Sequence, residues 1–241
     1  MMNPASRLPL GNFILDSLPQ DEYALLQPHL QSVELRQNDI LCGIRQPVQQ
    51  VYFPTTALLS WVHSTAEGDT VEVGATGFEG FVGTPLLLGR AIAPWQVSVI
   101  ITGKGYQLSA EDFVSALPQA PVLRQKALEF TYLKLTQLNQ SALCNRFHAV
   151  EQRLCRWLLA ANDRVKTPEL LLTRDILATM IGSHRQAVSI VTGTLQTAGL
   201  IRTARGRVTI LNREEMEETT CECYHIIKQE FDLYLQSESM N

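Results

Sequence analysis

Four side chains able to read a base edge or grip a phosphate lie close together in this chain: His184, Arg185, Gln186 and Ser189. Arginine can bind guanine O6 and N7 together, and glutamine can pair with adenine. Histidine and serine can reach bases or phosphates. Such groups work as a set only when a rigid element holds them on one face. The surrounding stretch, residues 173–201, reads TRDILATMIGSHRQAVSIVTGTLQTAGLI and predicts two short helices joined by a tight turn. Ile176, Leu177, Met180 and Ile181 give the first helix an apolar face, and Thr173 is placed to cap it. Gly182 interrupts the pattern where a left-handed residue would turn the chain. Ser183 is the expected cap of the second helix. There Ala187, Val188, Val191 and Leu195 form the inner stripe, leaving the four polar side chains on the other side. A helix anchored by one face and polar on the other is what major-groove readout requires. An ordinary αα-hairpin with a wet polar face has the same spacing.

The next residues narrow the choice. Gly199-Leu200-Ile201 ends the second helix and starts a strand. Residues 202–211 then read as strand, tight turn at Arg205-Gly206, and strand. The whole is a winged helix-turn-helix pattern with two arginines at the wing tip, suited to phosphate contact.

In this order, Thr173-Arg174-Asp175-Ile176, Gly182-Ser183-His184-Arg185-Gln186-Ala187-Val188 and Leu200-Ile201 resemble the DNA-binding domain of the Crp/Fnr superfamily of bacterial transcription regulators. The resemblance implies an α+β fold: an N-terminal β jelly-roll sensor domain, a long dimerisation helix and a C-terminal winged helix-turn-helix, here with an added C-terminal helix. The corresponding divisions are a cyclic-nucleotide-binding-like sensor at 1–119, the dimerisation helix at 120–145, the DNA-binding domain at 146–212 and a helical extension at 213–241. The implied partners are double-stranded DNA, a second copy of the chain, RNA polymerase and a small-molecule effector of unknown identity. Base contacts are assigned to Arg185, Gln186, His184 and Ser189. Phosphate contacts go to Arg174, Arg205 and Arg207, with Thr173 and Ser183 helping through helix N-terminal amides. Two positions depart from well-known members: Gln186 stands where a glutamate is frequent, and Ile190 where another base-reading arginine is found.

Net charge is only −4 over 241 residues, yet its distribution is uneven. Residues 145–212 carry ten Lys/Arg against four acids, whereas the segments on both sides are acidic. A basic module between acidic ones is an electrostatic footprint for a polyanion. No apolar run approaches the ~20 residues needed to cross a membrane. The N-terminus lacks a signal-peptide pattern, and the reading is a cytoplasmic protein with reduced thiols.

Ahead of the reader, residues 12–31 predict short helices. Seven short apolar or alternating runs follow, at residues 33–35, 40–42, 51–53, 58–62, 70–73, 96–101 and 106–108. Turn signals separate them, among them Gly103-Lys104-Gly105, as in a sandwich or jelly roll. Residues 74–83, GATGFEGFVG, occupy the place of the family's phosphate-binding cassette. In cyclic-nucleotide-binding members a glutamate between the glycines holds the ribose, and an Arg-Ser or Arg-Thr pair clamps the phosphate. Here Phe81 stands at the glutamate's place and no such pair follows, so cyclic AMP and cyclic GMP are not expected. A remaining effector pocket would be lined by Gly80, Phe81, Gly83 and Arg90.

Residues 120–145 predict a long helix. Leu128, Thr131, Leu135, Leu138 and Ala142 recur at the spacing of a helix–helix seam, while Leu123, Ala127, Phe130 and Leu133 widen the apolar face toward the β domain. A further helix is expected over 147–165 and an acidic one over 213–235, with Ile226, Ile227, Phe231 and Leu235 as its buried stripe.

Cys221, Cys223 and His225 sit in CECYH, where Cys221 and His225 at i and i+4 could share a metal. No fourth ligand stands nearby, so no metal or cofactor is assigned. His63 and His148 are the histidines available for haem, and Cys42 is too isolated for an N-terminal iron–sulfur cluster. No catalytic constellation emerges. The competing readings are a ligand- or partner-binding scaffold not acting on DNA, and a metal or redox protein using Cys221, Cys223 and His225.

Overall fold

The structure, a computed structural model, describes residues 8–165 and 167–237. Residues 1–7, Lys166 and residues 238–241 lie outside the described residues; they belong to the N-terminal segment, the loop before the helix-turn-helix and the C-terminal extension.

Two short helices open the chain, α1 (Phe13–Asp16) and α2 (Gln20–Leu26). Seven strands follow: β1 (Gln31–Leu35), β2 (Ile40–Cys42), β3 (Gln50–Pro54), β4 (Leu58–Ser64), β5 (Thr70–Thr76), β6 (Gln96–Ile101) and β7 (Gly103–Ser109). They pair antiparallel as β1-β7-β3 and β2-β6-β4-β5, so each of the seven predicted runs is a strand. Gly103, expected in a turn, instead opens β7. A Cβ there would strike the backbone of Thr56 and Ala57, so the glycine permits close chain approach. Helices α3 (Thr84–Leu87) and α4 (Ala110–Ala116) complete this part.

Helix α5 (Pro121–Phe147) is the spine. Its first turn has no cap of its own; the Glu22 carboxylate on α2 accepts from the Val122 and Leu123 N–H groups, each at 2.9 Å. As the pattern predicted, Leu123, Ala127, Phe130 and Leu133 are buried against the β domain. Leu128, Leu135 and Ala142 are exposed and Thr131 and Leu138 half-buried. The helix ends at His148, whose backbone is extended, so α6 (Val150–Val165) starts three residues later than expected.

The remaining elements are β8 (Glu169–Leu170), α7 (Arg174–Met180), α8 (Arg185–Thr197), β9 (Ile201–Ala204), β10 (Arg207–Ile210), α9 (Arg213–Thr219) and α10 (Glu222–Gln236). The expected single C-terminal helix is thus two, broken where Cys221 takes an extended backbone as the N-cap of α10. Its buried stripe is Cys223, Tyr224, Ile227, Phe231 and Tyr234; Ile226 is exposed and Leu235 only half-buried. No helix among the described residues is long and apolar enough to cross a membrane.

One apolar cluster runs without interruption from the four-stranded sheet (Leu58, Val62, Ala75) through α6 to the helix-turn-helix and its wing (Leu177, Val188, Val208). Two fully buried carboxylates pin the same seam. Glu72 on β5 accepts from Ser60 Oγ at 2.6 Å and from Trp157 Nε1 on α6 at 2.7 Å. Glu79, just past β5, accepts from Arg164 Nε at 2.8 Å and from its own loop's Gly77 N–H at 2.9 Å. Burial pushes the Glu72 carboxyl above its ordinary range, opposed by these hydrogen bonds.

Candidate nucleic-acid interface

The helix-turn-helix forms as its residue pattern requires, with one exception at Ser183. Thr173 caps α7 by accepting from the Ile176 N–H at 3.2 Å. Gly182 adopts φ +57° and turns the chain. Ser183 does not cap α8: the N-cap is His184, which makes no side-chain cap bond, and the Ser183 N–H donates to Ala178 O at 2.9 Å. Ser183 is drawn into the turn that closes α7, which moves the start of α8 on by one residue. Val188 and Leu195 bury the inner face of α8.

On the outer face, His184, Arg185, Gln186 and Ile190 are exposed and Ser189 is half-buried. The Ser189 hydroxyl donates back to Arg185 O at 2.9 Å, so it leans along the helix rather than away from it. Ile190 is among the most exposed large apolar side chains, at 71%. On a reading face its methyls suit the thymine C5-methyl group.

The wing turns at Arg205 and Gly206, with φ +45° and +75°. Positive φ at both central residues fits the twist of a two-residue hairpin. The pattern missed a third strand: β8 pairs with β10 through Leu170 and Val208. Two residues flanked by a proline and a leucine run carry no strand signal of their own.

A groove of about 440 Å³ lies between α7, the start of α8 and the wing, lined by Thr173, Arg174, Asp175, Arg185, Arg205 and Arg207 among others. It gathers four of the sequence-assigned arginines. Arg185 Nε rests 3.3 Å from Asp175 Oδ1 and Arg207 Nη1 rests 2.9 Å from Glu169 Oε2, all four side chains being largely exposed. Pairs this exposed hold their arginines by ~1 kcal/mol or less, so a polyanion can take over either guanidinium. Ser183 and His184 also line a cleft of about 710 Å³ shared with the β4–β5 hairpin (His63, Asp69, Val71).

Residues 152–219 match a domain family described as the Crp-like helix-turn-helix domain. The chain carries a Crp-like helix-turn-helix. Its fold extends the likeness over most of its length. FixK2 from Bradyrhizobium japonicum superposes with a TM-score of 0.69 at 15% identity, covering 80% of this chain and 98% of that one. The c-di-GMP-responsive global regulator CLP of Xanthomonas campestris gives 0.66 at 16%, covering 80% and 100%. A transcriptional regulator of the CRP family from Thermus thermophilus gives 0.64 at 16%, covering 78% and 95%. No curated protein sequence matches the chain. Over most of the chain the described residues therefore share the fold of these regulators, a sheet domain followed by a helix-turn-helix.

The cassette within that fold does not make the effector pocket expected from Gly80, Phe81, Gly83 and Arg90. Phe81 is fully buried, packed against Phe53, Phe113 and Phe130 with ring centroids 6.1, 5.8 and 5.5 Å away. A Cβ on Gly80 would enter the Phe130 ring, and one on Gly83 would lie 2.8 Å from Val51 Cγ2. These glycines admit side chains, not an anion. Arg90 is exposed beyond α3. The C-terminal helix seals the loop: Tyr234 Oη donates to Glu79 O at 3.1 Å, and Phe231 packs edge-on to Phe78 at 6.2 Å.

Composition concealed the ionisable groups that tie these parts together. Lys134, on the buried face of α5, donates to Ala75 O and to Gln137 Oε1, the latter at 2.7 Å, and lies 4.9 Å over the Trp61 ring. Burial, aided by the Arg164 charge and opposed by Glu79 and Glu72, lowers its amine to about 7. The available signal was a lysine, at residue 134, interrupting an apolar helix face.

Proposed function

We propose that this protein is a sequence-specific DNA-binding transcription regulator that acts as a homodimer on a palindromic site. The observation that carries the reading is the arginine-lined groove between helix-turn-helix and wing, with the exposed outer face of α8 beside it. Arg185 and Gln186 read base edges, His184 and Ser189 assist, and Ile190 adds a thymine contact. Arg174, Arg205 and Arg207 hold phosphates, with the amides that open α7 after Thr173 assisting, whereas the Ser183 N–H is taken by Ala178 O.

Dimerisation is supported by α5, whose exposed Leu128, Tyr132, Leu135 and Leu143 leave an apolar ridge uncovered along its length. Pairing these ridges would present two recognition helices, which a two-fold site requires ~34 Å apart. The side chains filling the cassette argue against a cyclic nucleotide as effector. A signal would instead act where the β4–β5 hairpin meets Ser183 and His184, or through the Glu72 and Glu79 contacts to α6. RNA polymerase is the expected further partner of such a regulator on its promoter.

Selection of genomic DNA fragments by the purified protein tests the reading. Enrichment of a palindrome with half-sites one helical turn apart, bound with an affinity falling steeply as salt rises, is the expected result. Recovery of fragments with no shared half-site overturns it.

A further inference from the structure

Outside the arginine-lined groove, four soft ligands converge at the end of α5 and the start of α10. Cys144 lies in the last turn of α5, His148 is the cap that ends it, Cys221 caps α10 and Cys223 lies in its first turn. The three thiols are buried and one donor atom from each of the four residues lies within 4.8 Å of every other. Cys144 Sγ stands 3.6 Å from Cys221 Sγ, and Cys223 Sγ stands 3.5 Å from His148 Nδ1. A zinc ion with bonds of ~2.3 Å to sulfur and ~2.0–2.1 Å to nitrogen sets tetrahedral edges of about 3.8 Å between sulfurs and about 3.6 Å between sulfur and nitrogen. Both observed edges fall close to these values.

We propose that Cys144, His148, Cys221 and Cys223 form a tetrahedral site for one zinc ion, pinning the junction of α5 and α6 to the start of α10.

Three further features fit this assignment. The imidazole is oriented as a ligand: Nδ1 faces the thiols while Nε2 lies 3.2 Å from Glu222 Oε1, and an outer carboxylate of this kind fixes tautomer and ring orientation. A Zn²⁺ with three thiolates and a neutral histidine carries one net negative charge. Two buried arginines on α6, Arg153 and Arg156, lie within electrostatic reach of Cys144, and the Nε of each lacks a partner among the described residues. They supply the balancing field that an apolar surrounding would not. The donor set is also too compact for a two-iron cluster, which spreads its outer ligands over two metal centres.

Four protein ligands leave no open position, so the ion is structural rather than catalytic. It would fix the direction in which the reader leaves α5. The break between α9 and α10 is what makes the site: in one continuous helix Cys221 would pair with His225. In the structure His225 is exposed, its Nε2 3.2 Å from Glu217 O, and takes no part.

The test is cobalt substitution in the full-length chain. Apo protein prepared with reductant and chelator is titrated with Co²⁺. The expected result is a set of intense visible bands of tetrahedral cobalt with sulfur-to-metal charge transfer, saturating at one ion per chain and bleached by Zn²⁺. Cys144→Ser and His148→Ala each weaken or abolish the bands, whereas Cys42→Ser and His225→Ala leave them intact. Should Cys144→Ser fail to fold, the wild type and His225→Ala still decide. Absence of bands in the wild type, or their loss in His225→Ala, overturns the site. So does iron with acid-labile sulfide, or a Cys144–Cys221 disulfide, in protein isolated anaerobically. None of these readouts involves DNA, so the site stands or falls apart from the regulatory reading.

Discussion

The arginines of the C-terminal half form two populations. Arg174, Arg185, Arg205 and Arg207 stand in water around one groove. Arg153, Arg156 and Arg164 are buried, at 8, 5 and 3% exposure. All seven contribute equally to the basic charge of residues 145–212, yet only the first group can meet a polyanion. The exposed ones are held weakly and can exchange a carboxylate for a phosphate. The buried ones are held inside the fold: Arg164 pairs with Glu79 of the β domain, and Arg153 and Arg156 lie within electrostatic reach of Cys144. The basic footprint is therefore smaller than a count of residues indicates, and part of that count belongs to the joint between the β domain and the helix-turn-helix.

The sharpest way to break this division is at Arg164. Its Nε lies 2.8 Å from Glu79 Oε1, both side chains being almost wholly inaccessible. Arg164→Ala leaves a buried carboxylate uncompensated, and removing one partner of such a pair costs about 3–5 kcal/mol. Urea denaturation of the variant should show that loss, and Glu79→Gln with Arg164→Met should recover much of it. A loss below ~1 kcal/mol would place Arg164 with the exposed population, where surface pairs contribute that little.

Lys134 tests the same seam by pH. Its amine lies at about 7 in the folded chain against an ordinary 10.5. Between those values the unfolded chain holds a proton that the folded chain has released. Stability therefore rises with pH through that window, and below about 7 the fold bears the cost of a buried ammonium. The neutral amine suits the site, since its two hydrogens meet two acceptors, Ala75 O and Gln137 Oε1. The expected result in urea titrations is that wild type gains stability from pH 7 toward 10 relative to Lys134→Met. A flat difference would mean that the ammonium is solvated after all.

What could be read from the residues beforehand divides along the same line. The helix-turn-helix, the wing and all seven strands of the β domain are local: a period, a cap, a left-handed glycine. These signals lie within a few residues of the structure they specify, so the elements were legible. The Glu79–Arg164 pair spans 85 positions, and the Cys144–Cys221 contact spans 77. No period or motif links residues so far apart. Ser183 was misplaced because two adjacent residues could each begin α8, and the turn closing α7 selects between them. His225 was misplaced for a different reason. The i and i+4 spacing assumes an unbroken helix, and Cys221 interrupts it.

On the exposed side, Arg185 should matter most. It stands in the first turn of α8, where its ion pair among the described residues is the 3.3 Å contact to Asp175. Arg185→Ala should cost ~1–3 kcal/mol on the selected palindrome and far less on unrelated duplexes. Competition binding measures both. Equal losses on the two would move Arg185 from base reading to phosphate contact.

The smallest expected effect is at the wing tip, and it needs a variant that spares the turn. Arg205 adopts φ +45° ahead of Gly206, a left-handed backbone that alanine suits no better than arginine. Asparagine tolerates that conformation, and Asn-Gly is favoured in this type of turn. Arg205→Asn thus removes one cation from a hairpin that keeps its shape. If Arg205 contacts a phosphate, affinity should fall by a similar factor on every sequence, and the slope of log affinity against log salt should decrease by about 1. An unchanged slope would detach Arg205 from DNA and leave the phosphate grip to Arg174 and Arg207. A sequence-dependent loss would instead carry the wing into a groove, because a phosphate contact alone cannot tell one base pair from another.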